Sequence, residues 1–207
     1  VGVEVRLGIL PAAGCAQRFG GIIKEMLPNK NGFTLINNAV NNFSFLDMVV
    51  VVTNKEKISI HAQTVKALFM IQEGSGLIGA IRTALKIEAD RYYFAMPDTL
   101  FSPSPKELFN TNADFVMGVF ETNMPERFGV ISDGMILDKY FDLPKPSIAW
   151  GAVCWSKAVR DLWLDNEYAD FTEMMNHAIE VFGYETARIE KYYDIAAIKD
   201  YKEMLCG

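Results

Sequence analysis

The chain has 207 residues, half of them hydrophobic, with a net charge of −6; this is enough apolar material for a well-buried domain and excludes a disordered chain. The negative balance, with no Lys/Arg cluster, argues against a nucleic-acid partner, whose phosphates must be neutralised by basic groups. Apolar runs such as Met48–Val52 are far too short to span a bilayer, so no membrane partner is expected, and the widely spaced Cys15, Cys154 and Cys206 read as reduced thiols of a cytoplasmic protein.

In chain order, runs rich in β-branched or aromatic residues predict strands over Arg6–Leu10, Met48–Val52, Ala67–Ile71 and Tyr92–Met96. Between them, Leu35, Ile36, Ala39, Val40 and Phe43 fall at helical spacing within Thr34–Phe43, as do Leu77, Ala80, Ile81, Ala84 and Leu85 within Gly76–Ile87. This alternation predicts an α/β fold: a three-layer α/β/α sandwich, Rossmann-like, with a mixed, mostly parallel central sheet and ligands at the carboxyl ends of its strands. Further strands are expected at Asp114–Glu121, Phe128–Ser132 and Met135–Tyr140, the last two joined through Asp133-Gly134, and at Ile148–Trp155. Helices are expected at Ser156–Leu164 and Asp170–Phe182, the second stopped by Gly183; then a strand at Tyr184–Glu190 and a closing helix at Ile198–Leu205. No repeat, low-complexity tract or linker divides the sequence, so 1–207 is read as a single domain.

Three stretches carry chemistry. From Ile9 to Pro28 the chain leaves an apolar strand, crosses the small residues Ala12, Ala13, Gly14, Cys15 and Ala16, then supplies Arg18 and Lys24. Small side chains let backbone N–H groups approach phosphate oxygens, and two cations at the rim complete a triphosphate cradle; a plain strand-to-loop connection with solvated cations uses the same residue types. Gln72-Glu73-Gly74-Ser75-Gly76-Leu77 follows a strand and opens a helix, where a Gln amide can pair with a base edge or simply lie in solvent. Asp98 sits just past the Tyr92–Met96 run, where a carboxylate can share a divalent cation with phosphate or merely shape a turn. His61 and His177 lack a partnered Ser, Cys or metal set and read as surface or satisfied core residues.

Taken together, these stretches resemble the sugar-1-phosphate nucleotidyltransferases, whose signature is an apolar strand, Ala-Ala-Gly-x-Gly-[Ser/Thr]-Arg, a short loop, then Pro-Lys-x-[Leu/Met]-[Leu/Met]-Pro. Lys24-Glu25-Met26-Leu27-Pro28 is most similar to the glucose-1-phosphate uridylyltransferase form, while Ala16, Gln17 and Ile23 depart from the signature and the loop from Arg18 to Lys24 is shorter than in the hexose enzymes. The resemblance implies the nucleotide-diphospho-sugar transferase fold and an enzyme that joins a nucleoside triphosphate to a sugar-1-phosphate or related phosphorylated small molecule, forming a nucleotide-sugar and pyrophosphate. It implies Arg18, Lys24 and Asp98 as catalytic residues. Ala12, Ala13, Gly14, Cys15, Ala16, Gln72, Gly76 and Leu77 would bind the nucleotide, Gln72 and Gly76 favouring a pyrimidine. Gly129, in Glu126-Arg127-Phe128-Gly129-Val130-Ile131, and Lys145, in Asp142-Leu143-Pro144-Lys145-Pro146, would bind the acceptor. Asp98 and Asp194 would share Mg²⁺, with Ala196 and Ala197 standing where the family has Gly and Thr. A homo-oligomer is left open, and two other readings use the same fold: a non-catalytic nucleotide-sensing domain and a glycosyltransferase.

Overall fold

From Leu7 onward the Arg6–Pro11 strand is buried on both faces, as a strand inside a parallel sheet must be. The computed structural model describes residues 4–14, 22–139 and 143–206. Around this first strand, β1, the chain winds α1 (Leu35–Asn42), β2 (Met48–Thr53), α2 (Ile58–Thr64), β3 (Leu68–Ile71), α3 (Gly76–Ala84) and β4 (Arg91–Ala95). The four strands are parallel neighbours in the order β4-β1-β2-β3. Next come β5 (Thr99–Ser102), α4 (Pro105–Leu108), β6 (Phe115–Thr122), β7 (Gly129–Ser132), β8 (Met135–Asp138) and β9 (Ser147–Ser156). Helices α5 (Lys157–Asp165) and α6 (Phe171–Phe182), strands β10 (Glu185–Arg188) and β11 (Lys191–Asp194), and helix α7 (Ile198–Cys206) follow. Strand β9 runs antiparallel between β4 and β6, β10 lies parallel to β6, and the β7-β8 hairpin docks on β9, giving a 9-stranded sheet. The sheet is mixed and mostly parallel, as the sequence leads one to expect.

Side-chain alternation along the strands sorts the core into two layers. Leu7, Ile9, Tyr92 and Phe94 point into one, with Ala80 and Ile81 of α3, Trp163 of α5 and Met174 of α6. Leu10, Val51, Tyr93 and Ala95 point into the other, with Ile36 and Ala39 of α1. Helix starts are fixed by side chains: Thr34 Oγ1 accepts from Asn37 N–H at 3.2 Å and Asp170 Oδ1 from Glu173 N–H at 2.9 Å. The Asp133-Gly134 turn has positive φ at both residues (50° and 78°), as a two-residue hairpin requires. Among the described residues, no helix is long and apolar enough to cross a membrane.

Some boundaries differ from expectation for local reasons. Helix α3 ends at Ala84 instead of running to Ile87, because Ile87 N–H turns back to the Ala84 carbonyl. Lys139, at φ 51°, breaks the extended chain, so β8 stops at Asp138; Tyr140 lies outside the described residues. The expected strand over Tyr184–Glu190 ends at Arg188: Glu190 N–H already donates to Ser102 O at 2.7 Å, and the chain has crossed to pair β11 with β5 in a 2-stranded antiparallel sheet. That crossing carries the C-terminal segment back to the carboxyl end of β4. With α1 and α3 packed on opposite faces, the space beyond the ends of β1 and β4 is the topological switch point of the sheet.

Candidate active site

The cleft at this switch point has a volume of ≈ 330 Å³ and is lined by Ala12, Ala13 and Gly14 after β1, Lys24, Gln72 after β3, Gly76 and Leu77 at the start of α3, and Asp98 after β4. Local chemistry fixes each part. Gly79 lets the loop backbone lie directly on α3, since a Cβ there would stand 2.8 Å from Glu73 O. Thr83 Oγ1 accepts from Glu73 N–H at 2.9 Å, and Gln72 Nε2 donates to Gly76 O at 3.0 Å, so the Gln amide is held against the helix start. Asp98 stands at the third position of a Met96-Pro97-Asp98-Thr99 turn closed by Thr99 N–H to Met96 O at 3.3 Å, with Pro setting the second position.

The Lys-Glu-Met-Leu-Pro segment brings Lys24 and Glu25 to the cleft wall and packs Leu27 into the core. Lys24 forms an ion pair with Asp98. Glu25, one residue on in the same 3-10 turn (Lys24–Met26), is buried and accepts from Lys57 Nζ at 2.8 Å, with His61 Nε2 at 3.2 Å. Burial opposes ionisation of Glu25, but the hydrogen bonds from His61 and Lys57 outweigh it and hold its carboxyl below the ordinary range. Leu27 packs on Leu35, Ile195 and Met204, and Tyr201 of α7 donates to Pro28 O at 2.7 Å, so the C-terminal helix steadies this turn. Lys57 also donates to Ala12 O at 3.3 Å and to Gly14 O, and Asn54 Nδ2 to Ala13 O at 2.8 Å.

Asp98 and Asp194 are brought together by strand pairing. Asp194 is registered opposite Thr99, and Ile195 N–H lies 3.3 Å from Asp98 O. Burial pushes the Asp98 carboxyl above the usual carboxylate range; Lys24 opposes that shift and the charge of Asp194 adds to it. Asp98 Oδ1 is buried with no hydrogen-bond partner among the described residues. Arg127 Nη2 donates to Asp194 Oδ2 at 3.0 Å, and the guanidinium also makes a two-pronged contact with Asp200 at 3.1–3.2 Å. Asp200 in turn accepts from the N–H groups of Ala196 and Ala197 (3.1 and 2.8 Å); against burial, Arg127 and these bonds hold its carboxyl below the usual range. An all-oxygen pair with an orphaned buried Oδ1 fits a hard divalent cation completed by phosphate and water. No group of three or more His, Cys, Asp or Glu suited to a metal ion occurs among the described residues.

Of the residues singled out from sequence, Ala12, Ala13, Gly14, Lys24, Gln72, Gly76, Leu77 and Asp98 therefore share one cleft, with Asp194 beside Asp98. Arg18, Cys15 and Ala16 lie outside the described residues. Gly129 and Lys145 do not line this cleft. Gly129 faces Trp150, whose Nε1 would stand 2.2 Å from a Cβ there, and Lys145 is 3.8 Å from Glu126, next to Arg127. Asn54, Lys57, Glu25 and Arg127 escape the sequence reading: the first three surround a buried contact that periodicity does not reveal, and Arg127 is visible only as part of the Glu126–Ile131 motif. His61 is a buried core residue, with Nδ1 2.9 Å from Thr53 Oγ1 and Nε2 facing the Glu25 carboxylate at 3.2 Å.

Residues 8–117 match the family model of the MobA-like NTP transferase domain. The chain belongs to this family. No curated protein sequence matches it, but solved structures do. A UDP-glucose pyrophosphorylase from Acinetobacter baumannii superposes with a TM-score of 0.80 at 16% identity, covering 97% of this chain and 92% of that one. A UDP-glucose pyrophosphorylase complexed with UDP-glucose gives 0.77 at 19%, covering 98% and 97%. The inositol-1-phosphate CTP transferase from T. maritima gives 0.74 at 14%, covering 98% and 96%. At such identities the likeness establishes the fold, over almost the whole length of the chain.

Proposed function

We propose that this nucleotidyltransferase joins a pyrimidine nucleoside triphosphate to a sugar-1-phosphate or a closely related phosphorylated acceptor, releasing pyrophosphate. The observation that carries the reading is the convergence of the Ala12–Gly14 backbone, Lys24, Gln72 and Asp98 on one cleft at the switch point of the sheet. The solved relatives named above act on UDP-glucose or combine CTP with inositol-1-phosphate, and another UDP-glucose pyrophosphorylase structure holds UTP; the proposal carries that chemistry to this chain. It takes residues 1–207 as one catalytic unit, because β11 pairs with β5 and sets Asp194 beside Asp98.

In this reading the Ala13 and Gly14 N–H groups and Lys24 hold the phosphate tail, with Arg18, Cys15 and Ala16 completing the cradle as the family resemblance implies. Gln72 and the Gly76-Leu77 backbone hold the base, and a pyrimidine suits a pocket closed by α3. Asp98 and Asp194 would hold Mg²⁺, which when bound neutralises phosphate charge at the α-phosphorus. The acceptor phosphate, with a second pKa of about 6, is ionised at neutral pH and needs no protein base. Lys24 exchanges its contact with Asp98 for the triphosphate, and the protein supplies alignment for in-line attack and stabilisation of charge on the departing pyrophosphate. Lys145 and the start of β7 at Gly129 would receive the acceptor, close in the chain to Arg127, which holds Asp194. Pyrophosphate release, screened with UTP, dTTP, CTP, ATP and GTP against a panel of phosphorylated acceptors and Mg²⁺, tests the proposal. A pyrimidine triphosphate is expected to work best; binding without release, or transfer from a ready-made nucleotide sugar, would favour the sensing or glycosyltransferase reading instead.

A further inference from the structure

The peptide planes at the end of β1 are tethered from outside the cleft. Lys57 Nζ holds the carbonyls of Ala12 and Gly14, and Asn54 Nδ2 holds that of Ala13. Neither Lys57 nor Asn54 lines the cleft, whereas Ala12, Ala13 and Gly14 all do. Across a trans peptide the carbonyl and the following N–H point opposite ways. Drawing the Ala12 and Ala13 carbonyls outward therefore turns the N–H groups of Ala13 and Gly14 toward the cleft. The same ammonium donates to Glu25 Oε1 at 2.8 Å, and Glu25 adjoins Lys24 in the 3-10 turn. An ammonium has three donors at the corners of a tripod, and here they meet three oxygens: Ala12 O, Gly14 O and Glu25 Oε1. One buried cation thus ties the backbone half of the cradle to the turn that presents Lys24. Its charge is matched by Glu25, so its contribution is orientation and not direct attraction of the ligand.

We infer that Lys57, with Asn54 and Glu25, is the positioning group of the triphosphate cradle: it sets the direction of the Ala13 and Gly14 N–H groups and their spacing from Lys24, and so governs affinity for the phosphate tail but not for the base. The inference rests on reading the cleft as a triphosphate site. The test compares binding of UTP with UMP, and of CTP with CMP, to the full chain by calorimetry, because base contacts are common to each pair and cancel in the ratio. Lys57→Met is expected to lower the triphosphate-to-monophosphate affinity ratio by about tenfold or more, the scale of a hydrogen bond to a charged group, with monophosphate affinity nearly unchanged. Asn54→Ala adds no charge and loses the donor to Ala13 O, together with the oxygen that accepts from the N–H groups of Glu56 and Lys57; it is expected to lower the ratio about three- to tenfold. Thermal melts establish that each variant is folded, and if Lys57→Met does not fold, the charge-neutral Asn54→Ala decides alone. A merely structural role would leave the ratio at its wild-type value in folded variants, and that result overturns the inference. Wild-type protein that binds UTP and CTP no tighter than their monophosphates would instead overturn the triphosphate reading, and the inference with it.

Discussion

Around Glu25 the charges are buried, with Lys57 and Glu25 side chains only 9% and 6% exposed and bonded on several sides; around Lys145 and Glu126 they are 51% and 30% exposed and 3.8 Å apart. The first arrangement is held by groups that cannot trade partners for water without a large penalty, and the second is screened and free to rearrange. In the proposed reaction the first region serves the phosphate tail, which is the same in every nucleotide, and the second faces the acceptor, which differs from one transferase to another. Rigidity is thus concentrated where the ligand is invariant.

Breaking the rigid side at its chemistry gives the largest effects. Asp98→Asn is expected to lower turnover by about 10³ and Lys24→Ala by about 10²–10³, the range for losing one preorganised electrostatic group; steady-state pyrophosphate release measures both. Asp194→Asn is expected to behave as Asp98→Asn does, with triphosphate binding less affected than turnover; near-wild-type rates in either would detach that carboxylate from the site.

Stability sharpens the contrast next. Glu25→Ala leaves the buried Lys57 ammonium without its carboxylate and is expected to cost about 3–5 kcal/mol in urea unfolding. Glu126→Ala, which removes only a half-exposed partner of Lys145, is expected to cost about 0–1 kcal/mol. Equal losses from the two substitutions would erase the distinction between the regions.

Glu25 also has a signature in acid. The Glu25 carboxyl is depressed below its ordinary value of 4.5 in the folded protein. Its contribution to stability is therefore complete above that value and is lost as pH falls through the lower, folded one. Glu25→Gln is expected to flatten the acid limb of the stability profile below about pH 4.5, as protonation of a depressed carboxylate requires; a profile with the wild-type slope would mean that this carboxylate is not held low by His61 and Lys57. The smallest effect is expected of Lys145→Ala: acceptor KM raised about three- to tenfold with nucleotide affinity unchanged, as loss of a ground-state contact predicts.

Much of the cleft can be read in the residues themselves. The Ile9–Pro28 stretch, Gln72 with Gly76, and Asp98 each sit at the end of an apolar run whose period marks a parallel strand, so motif and architecture reinforce each other. The support behind them is not legible. Lys57 stands in Lys55-Glu56-Lys57, which reads as a solvated charge run, and only the fold shows that it turns under Ala12 and Gly14. Strands β5 and β11 have four residues each, too short for period to register, yet they are what sets Asp194 beside Asp98. Helix α2 has seven residues and no side-chain cap, so its start carries no signal either. Asp200 too gains its reason only from the structure, where it bonds the Ala196 and Ala197 N–H groups and holds Arg127.

In the proposed reaction a nucleotide is transferred by attack at the α-phosphorus of a triphosphate bound in this cleft. The most direct measurement follows two labels, one in the α-phosphate and one in the γ-phosphate of UTP or CTP, during turnover with a phosphorylated acceptor and Mg²⁺. The α label is expected in a nucleotide–acceptor diphosphate while the γ label leaves as pyrophosphate, and Asp98→Asn is expected to slow both together. Transfer of the γ label to the acceptor, or retention of both labels in bound, unreacted triphosphate, would contradict the proposed reaction.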